Sequence, residues 1–177
     1  MLKEFPEFDI SPLRVRKFKM TDLVLIHKAS LDPLIPLITS VPSLFSEEKG
    51  ESYIKRQWSR YEQGVGLSFA IADIDTDEAI GSIYLGLQNI EEGRASMGYW
   101  IIEDWRGKGI AKLALKTIAA WAQSDLQIPR LELYVEPSNP ASIKTAEAVG
   151  FKQEGLMRSW QKVGEERKDM VMMSMII

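Results

Sequence analysis

The chain has no cysteine and a single histidine among its 177 residues. The first absence excludes disulfides, thiolate metal sites and a cysteine nucleophile together. The second leaves His27 as the sole imidazole. It falls in a helical stretch, where a packed or solvated ring is the commoner role. No segment approaches the ~18 consecutive apolar residues of a membrane span. Met1-Leu2-Lys3-Glu4-Phe5-Pro6-Glu7 carries acids and lacks an apolar signal core, so the cytoplasm is the expected location. Positive charge is not in excess either, with 22 Lys and Arg against 25 Asp and Glu, a net charge of −3. That gives no overall basic field for nucleic acid.

What is present describes a folded domain. Hydrophobic residues make up 45% and charged residues 27%, which argues against disorder. The length suits one domain with a sizeable core, and the expectation is a single α/β domain over residues 1–177. Five tryptophans are a rich supply for core or pocket lining.

Along the chain, Phe8 to Phe18 reads as a first strand begun after Pro12, with Leu13 and Val15 opposed to Arg14, Arg16 and Lys17. Thr21-Asp22 then opens a helix. Leu31 to Pro42 holds Pro33, Pro36 and Pro42, which break any long helix and leave a core-covering loop or the wall of a substrate site. Ser46-Glu47-Glu48 has the form of an N-cap, with a helix to about Gln63 ended by Gly64-Val65-Gly66. Strands are expected at 67–73 and 79–87, joined through Asp75-Thr76-Asp77-Glu78. Asp73, Asp75 and Asp77 lack the glycine and distal glutamate of a calcium loop, so no metal site is expected. Further strands are expected at 97–102, 130–136, 151–158 and 168–177, with helices at 110–123 and 140–149, the last closed by Gly150.

The stretch Trp105-Arg106-Gly107-Lys108-Gly109-Ile110-Ala111 lies between an aromatic-rich strand and an amphipathic helix. A glycine-rich turn feeding a helix N-terminus presents unpaired N–H groups at the positive end of the helix dipole, which suits a phosphate. It also serves as an ordinary tight turn. A P-loop needs G-x-x-x-x-G-K-S/T, but Lys108 is followed by Gly109. A dinucleotide turn needs G-x-G-x-x-G, and here the third glycine is replaced by Lys112.

The pattern that does fit is Q/R-x-x-G-x-G/A, read at Arg106, Gly109 and Ala111. It resembles the pyrophosphate-binding signature of the GNAT superfamily of acyl-CoA-dependent N-acyltransferases. Gly98-Tyr99-Trp100-Ile101, Asn139-Pro140-Ala141-Ser142, Val149-Gly150-Phe151 and Glu154-Gly155 resemble, in order, motifs of its ribosomal-protein N-terminal (Rim-type) branch. Leu13-Arg14-Val15-Arg16 with Thr21-Asp22 resembles the branch's opening, although displaced. The resemblance implies a mixed, mostly antiparallel splayed sheet flanked by helices, with acyl-CoA in the V between the strands at 99–102 and 131–136. It implies pantetheine contacts with the backbone of Trp100, Ile101 and Ile102. Pyrophosphate contacts would come from Arg106, Gly107, Lys108, Gly109, Ile110, Ala111 and Lys112, with Asn139 serving the cofactor or its turn. Acetyl-CoA is then the acyl donor.

An amine attacking a thioester needs a neutral amine, a donor for the oxyanion, and a proton for the leaving thiolate. The resemblance places an oxyanion donor near Ile101. Many GNAT enzymes supply the proton from a helix tyrosine, but that slot holds Ala146 here, and Ser142 is the Rim-type substitute. As a base, Glu136 is the first candidate, with Glu132 and Tyr134 on the same polar side of the strand. An α-amine of pKa about 7.7–8.0 is roughly a tenth neutral at pH 7, far more than a lysine amine, so an N-terminal substrate demands less of that base. Without cysteine, direct transfer in a ternary complex is favoured over a cysteinyl intermediate. Trp58, Tyr84 and Trp160 are candidates to line the acceptor site.

The expected activity is acetyl transfer to a protein N-terminal α-amine or a small-molecule amine. No nucleic-acid or membrane partner is expected, and a homodimer is an open alternative to a monomer. A non-catalytic acyl-CoA-binding or regulatory module is the rival reading, suggested by Ala146, and a nucleotide-binding protein is the third. Replacing Gly109 by a bulky residue is expected to abolish CoA binding in calorimetry; retained affinity would remove the cofactor assignment.

Overall fold

The computed structural model describes residues 4–177; Met1–Lys3, the start of the acidic N-terminal segment that lacks a signal core, lie outside the described residues. Eight strands follow one another as β1 (Phe8–Ile10), β2 (Leu13–Lys17), β3 (Gly66–Asp73), β4 (Ala79–Gly86), β5 (Arg94–Ile101), β6 (Arg130–Val135), β7 (Lys152–Val163) and β8 (Glu166–Ile176). The helices are α1 (Leu23–Ser30), α2 (Ile35–Ile38), α3 (Glu47–Glu62), α4 (Ile110–Ser124) and α5 (Pro140–Val149). No helix among the described residues is long and apolar enough to cross a membrane.

The strands form one sheet in the order β1-β2-β3-β4-β5-β6-β8-β7. Every neighbouring pair is antiparallel except β5 and β6, which run parallel. That pair shares four rungs, from Arg94–Arg130 to Met97–Leu133, and then separates. Beyond the last rung, β5 stays on β4 as far as Ile101, and β6 stays on β8 as far as Val135. Each strand follows its longer antiparallel ladder, so the sheet opens into a V on one edge of Gly98–Ile101.

Both faces of the sheet are covered. On one face, α4 buries Ile110, Ala114, Leu115, Ile118, Ala119 and Ala122, a stripe at helical spacing, against Val15, Phe69, Ile83 and Leu131. On the other, α1, α2 and α3 bury Leu25, Ile26, Ile35 and Ile54 against Phe18, Ala70 and Trp100. Two-sided cover explains why β3 is buried almost end to end rather than at alternate residues. The α4 face takes the large side chains Leu67, Phe69 and Ile71, while Ser68 and Ala70 alternate with them.

Two departures from the sequence-based expectation concern the N-terminal region. The segment before Pro12 is itself a strand, β1, paired with β2 from Phe8–Val15 to Ile10–Leu13. Three residues are too few to show a period of two, which is why only its partner is legible in the sequence. Arg16, assigned by alternation to a polar side, is 1% exposed, enclosed by Asp22 at the start of α1 and Asp77 of the β3–β4 turn. Its guanidinium donates to both Asp22 oxygens at 2.9 Å and to Asp77 Oδ1 at 2.6 Å. Asp22 does not cap α1 through its side chain; its carboxylate accepts the Lys19 N–H at 2.8 Å as well as the arginine. Burial tends to raise the Asp77 carboxyl, but hydrogen bonds from Lys19 and Arg16 outweigh it and hold the group below its ordinary range. Asp77 is taken by the fold's own cations and Asp73 accepts from Asp75 and Thr76 of its own turn, and among the described residues no acidic or histidine cluster is arranged for a metal.

Removing one member of a buried ion pair leaves the other charge uncompensated, which costs roughly 3–5 kcal/mol. Asp22→Ala is expected to lower unfolding stability by about that amount in urea titration. A loss no larger than that of an exposed pair, under about 1 kcal/mol, would deny the pair a structural role.

Candidate active site

The V between β5 and β6 opens into a cavity of about 1080 Å³. One lip is the turn into α4. Gly107 and Gly109 adopt left-handed φ values of 75° and 77°, which L side chains rarely take, and a Cβ on either would point into open space. Gly109 caps α4 without a side-chain hydrogen bond. The first backbone bond into the helix is Leu113 N–H to Gly109 O at 3.0 Å, leaving the preceding amides of Ile110, Ala111 and Lys112 to face the cavity mouth. The cradle consists of backbone.

The two basic side chains of the turn are engaged elsewhere. Arg106 Nε donates to Ile101 O at 2.9 Å, and Nη2 pairs with Asp32. Asp32 also accepts the N–H groups of Leu34 and Ile35 at 2.8 and 3.0 Å. Burial tends to raise its carboxyl, but those backbone bonds together with Arg106 hold it below the usual range. Lys108 places its ammonium 4.5 Å from the Trp105 ring centroid. Arg106 therefore ties the proline-rich segment to β5 and the turn. That segment contains α2, and Leu34, Ile35, Ile38, Thr39 and Ser40 wall the cavity. Residues 31–42 do both things: Ile35 and Val41 are buried in the core, and the residues around them wall the cavity.

The other lip is the start of α5. Asn139 is its N-cap, accepting the Ser142 N–H at 3.1 Å, and it also lines the cavity. Because Asn139 performs the capping, the Ser142 hydroxyl is available for another contact, and it lies 2.8 Å from the Tyr99 hydroxyl on β5. The phenol additionally reaches Ser142 O at 3.3 Å. Burial raises the Tyr99 phenol above its usual value against a smaller lowering by Ser142, so at neutral pH it stays protonated and able to donate. In the sequence Tyr99 is visible only as part of a strand motif. Nothing in a linear sequence joins it to a serine 43 residues away.

The three candidates on β6 and its end part company. Glu136 lines the cavity. Glu132 is 3% exposed and bound by Arg130 at 2.7 Å, Tyr134 Oη at 2.8 Å and Arg94 at 3.5 Å. Burial tends to raise it, but these partners hold it low, so it is a structural anion. Tyr134 lines the cavity, and burial, with the Glu132 hydrogen bond, pushes its phenol up to about 12. Ala146, in the slot where the family resemblance implies a tyrosine, is fully buried. Of the aromatic candidates, Tyr84 lines the cavity. Trp58 instead donates to Phe18 O at 2.7 Å, and Trp160 stacks on Tyr134, 47% exposed. His27 is exposed and stacks on Phe45.

The family model of the acetyltransferase (GNAT) domain matches residues 13–152, well over half of the chain. The chain belongs to the GNAT acetyltransferases. Among its relatives, the uncharacterized N-acetyltransferase p20 of Bacillus licheniformis is 27% identical over 164 residues, covering 93% of this chain and 92% of that protein. The ribosomal-protein-S5-alanine acetyltransferase of Vibrio fischeri has the same fold, with a TM-score of 0.81 at 21% identity over 97% of this chain and 96% of that one. So does the ribosomal L7/L12 α-N-protein acetyltransferase RimL solved with coenzyme A, with a TM-score of 0.82 at 19% identity over 97% and 98%. The protein is a GNAT N-acetyltransferase, and the acyl donor of this family is acetyl-CoA.

Two features of this GNAT chain fit such a donor: a backbone cradle of uncapped amides beside two glycines, and a β5 edge without a strand partner from Gly98 onward. Tyr99→Phe removes the hydroxyl partner of Ser142, worth about 1 kcal/mol or about fivefold in kcat. Ser142→Ala is expected to lower kcat further than it weakens CoA binding. Steady-state kinetics with CoA calorimetry checks both; equal loss of turnover and CoA affinity would return Ser142 to a structural role.

Proposed function

We propose that this enzyme transfers the acetyl group of acetyl-CoA directly to a primary amine, a protein N-terminal α-amine or a small-molecule amine, in a ternary complex. The observation that carries the reading is the Tyr99–Ser142 hydroxyl pair inside the V, with Glu136 also lining the same cavity. The amine nitrogen attacks the thioester carbonyl carbon, and the carbon–sulfur bond then breaks. Glu136 takes the proton that nitrogen loses, and the Ser142 hydroxyl gives its proton to the departing thiolate, with Tyr99 orienting that hydroxyl and able to return a proton to it. Backbone amides of the β5 edge near Ile101 stabilise the oxyanion. Trp100 to Ile102 would hold the pantetheine arm, and the amides from Gly107 to Lys112 the pyrophosphate. Arg106 and Lys108 would contribute through their backbones and their positive field, since their side chains are otherwise engaged. An enzyme of this kind would work in the cytoplasm, where its acyl donor is made available.

A second reading, a non-catalytic acyl-CoA-binding module, draws support from Ala146 in the usual tyrosine slot. Acetyl-CoA offered with a panel of α-amines, peptides and small amines, followed by thiol release, separates them. Turnover with any member supports the transferase; tight CoA binding with no turnover across the panel supports the module.

A further inference from the structure

Several arginines of this fold have carboxylate partners: Arg14 with Asp9, Arg16 with Asp22, Arg94 and Arg130 with Glu132, Arg106 with Asp32; Arg56 and Arg167 are exposed and donate to backbone carbonyls. Arg60, in the last turn of α3, differs. It lines the cavity and is half-buried, yet among the described residues it forms no ion pair. Its Nη1 donates to Gln57 Oε1 at 2.8 Å and to Ser68 Oγ at 3.3 Å, and the guanidinium lies 5.0 Å from the Tyr84 ring centroid. Gln57 and Ser68 are themselves buried, and Gln57 is anchored to Tyr53 O at 2.9 Å. The guanidinium is therefore held in place by neutral groups through one of its nitrogens.

A cation drawn out of water without an anion is costly, and the carbonyl end of α3 offsets only part of that. A planar guanidinium with donors left over matches a carboxylate in two-pronged fashion. The neighbouring sheet surface leaves room for one. Gly98, paired across β4–β5 with Tyr84, has nothing within 4 Å of where a Cβ would stand, and Ser68 and Ser82 present short hydroxyls. The other cavity-lining cations are either paired, as Arg106 is, or sit on α4 and α5 as Lys112 and Lys144. The lining carboxylate is Glu136, at the end of β6.

We propose that Arg60 is the counter-charge for a carboxylate on the acceptor, so that the substrate class is a primary amine bearing a carboxylate group. The inference rests on the transferase reading above and specifies the acceptor at that site. The amine belongs at Glu136 and the acid group at Arg60. A polyamine, by contrast, meets an unneutralised cation in the same cavity.

The test uses matched acceptors: amino acids and short peptides, each paired with the same amine whose carboxylate is converted to the amide. Thiol release from acetyl-CoA is read as kcat/KM. The acid member of a pair is expected to exceed its amide by at least about tenfold, as a charge-assisted hydrogen bond provides. In Arg60→Gln that ratio is expected to fall toward one, mainly through KM, and in Arg60→Lys to recover in part. The arms divide free amino acids from peptides as the source of the acid group. Amides that perform as well as acids in the parent enzyme overturn the proposal while leaving the transferase reading intact, and so does a ratio that Arg60→Gln leaves unchanged. No thiol release with any member overturns both. The parent enzyme's acid-to-amide ratio needs no variant, so a poorly folded Arg60→Gln does not shelter the idea.

Discussion

The cavity of this molecule depends on where two parallel strands stop pairing. β5 and β6 share four rungs and then follow different neighbours, because each has a longer antiparallel ladder on its outer side. The parting leaves the β5 edge without a strand partner beyond Met97 in the middle of a two-sided, well-buried sheet, with Arg106 meeting only the Ile101 carbonyl. Unpaired backbone at that depth needs a partner, and an extended ligand with amide groups is one that fits. The two helices that follow β5 and β6 in the chain start at the opening, so both N-termini border the cavity. One brings a bare glycine cradle, and the other brings Ser142 to Tyr99.

Charge is distributed to keep that opening rigid. Arg16 with Asp22 and Asp77 joins β2, the start of α1 and the β3–β4 turn. Arg130 and Arg94, the first β5–β6 rung, enclose Glu132, and Arg130 extends to Glu154 on β7. Arg106 and Asp32 join the proline-rich segment over residues 31–42 to the glycine turn before α4.

Much of the fold is legible in the amino-acid sequence alone. Local chemistry places α3, α4 and α5 within a residue or two of their observed ends, since Ser46, Gly109, Asn139 and Gly150 mark those ends. The strands at 67–73, 79–87 and 130–136 are likewise marked by period and turn residues. β1 is too short to register, the β7–β8 hairpin runs further than its pattern, and α2 is hidden inside a proline-rich segment. The site divides in the same way. The turn at 106–111 and the pair Asn139 and Ser142 stand out because glycine, asparagine and serine carry positional meaning in short motifs. Glu132 reads as a candidate base because alternation puts it on a polar side, and only the packed structure shows that side enclosed by two arginines.

The sequence by itself determined the family, the order of most elements, the glycine turn before α4, and the absence of any cysteine route. These are local facts, set by propensity, periodicity and motifs a few residues long. The tertiary structure alone decided that Arg106 points to Asp32, that Tyr99 meets Ser142, that Trp58 is a structural donor, and that Arg60 lines the cavity without a carboxylate. Each of those depends on residues brought together across the sheet from distant parts of the chain. Side-chain partnership is a property of packing, and no local pattern encodes which of several arginines will be left without an anion.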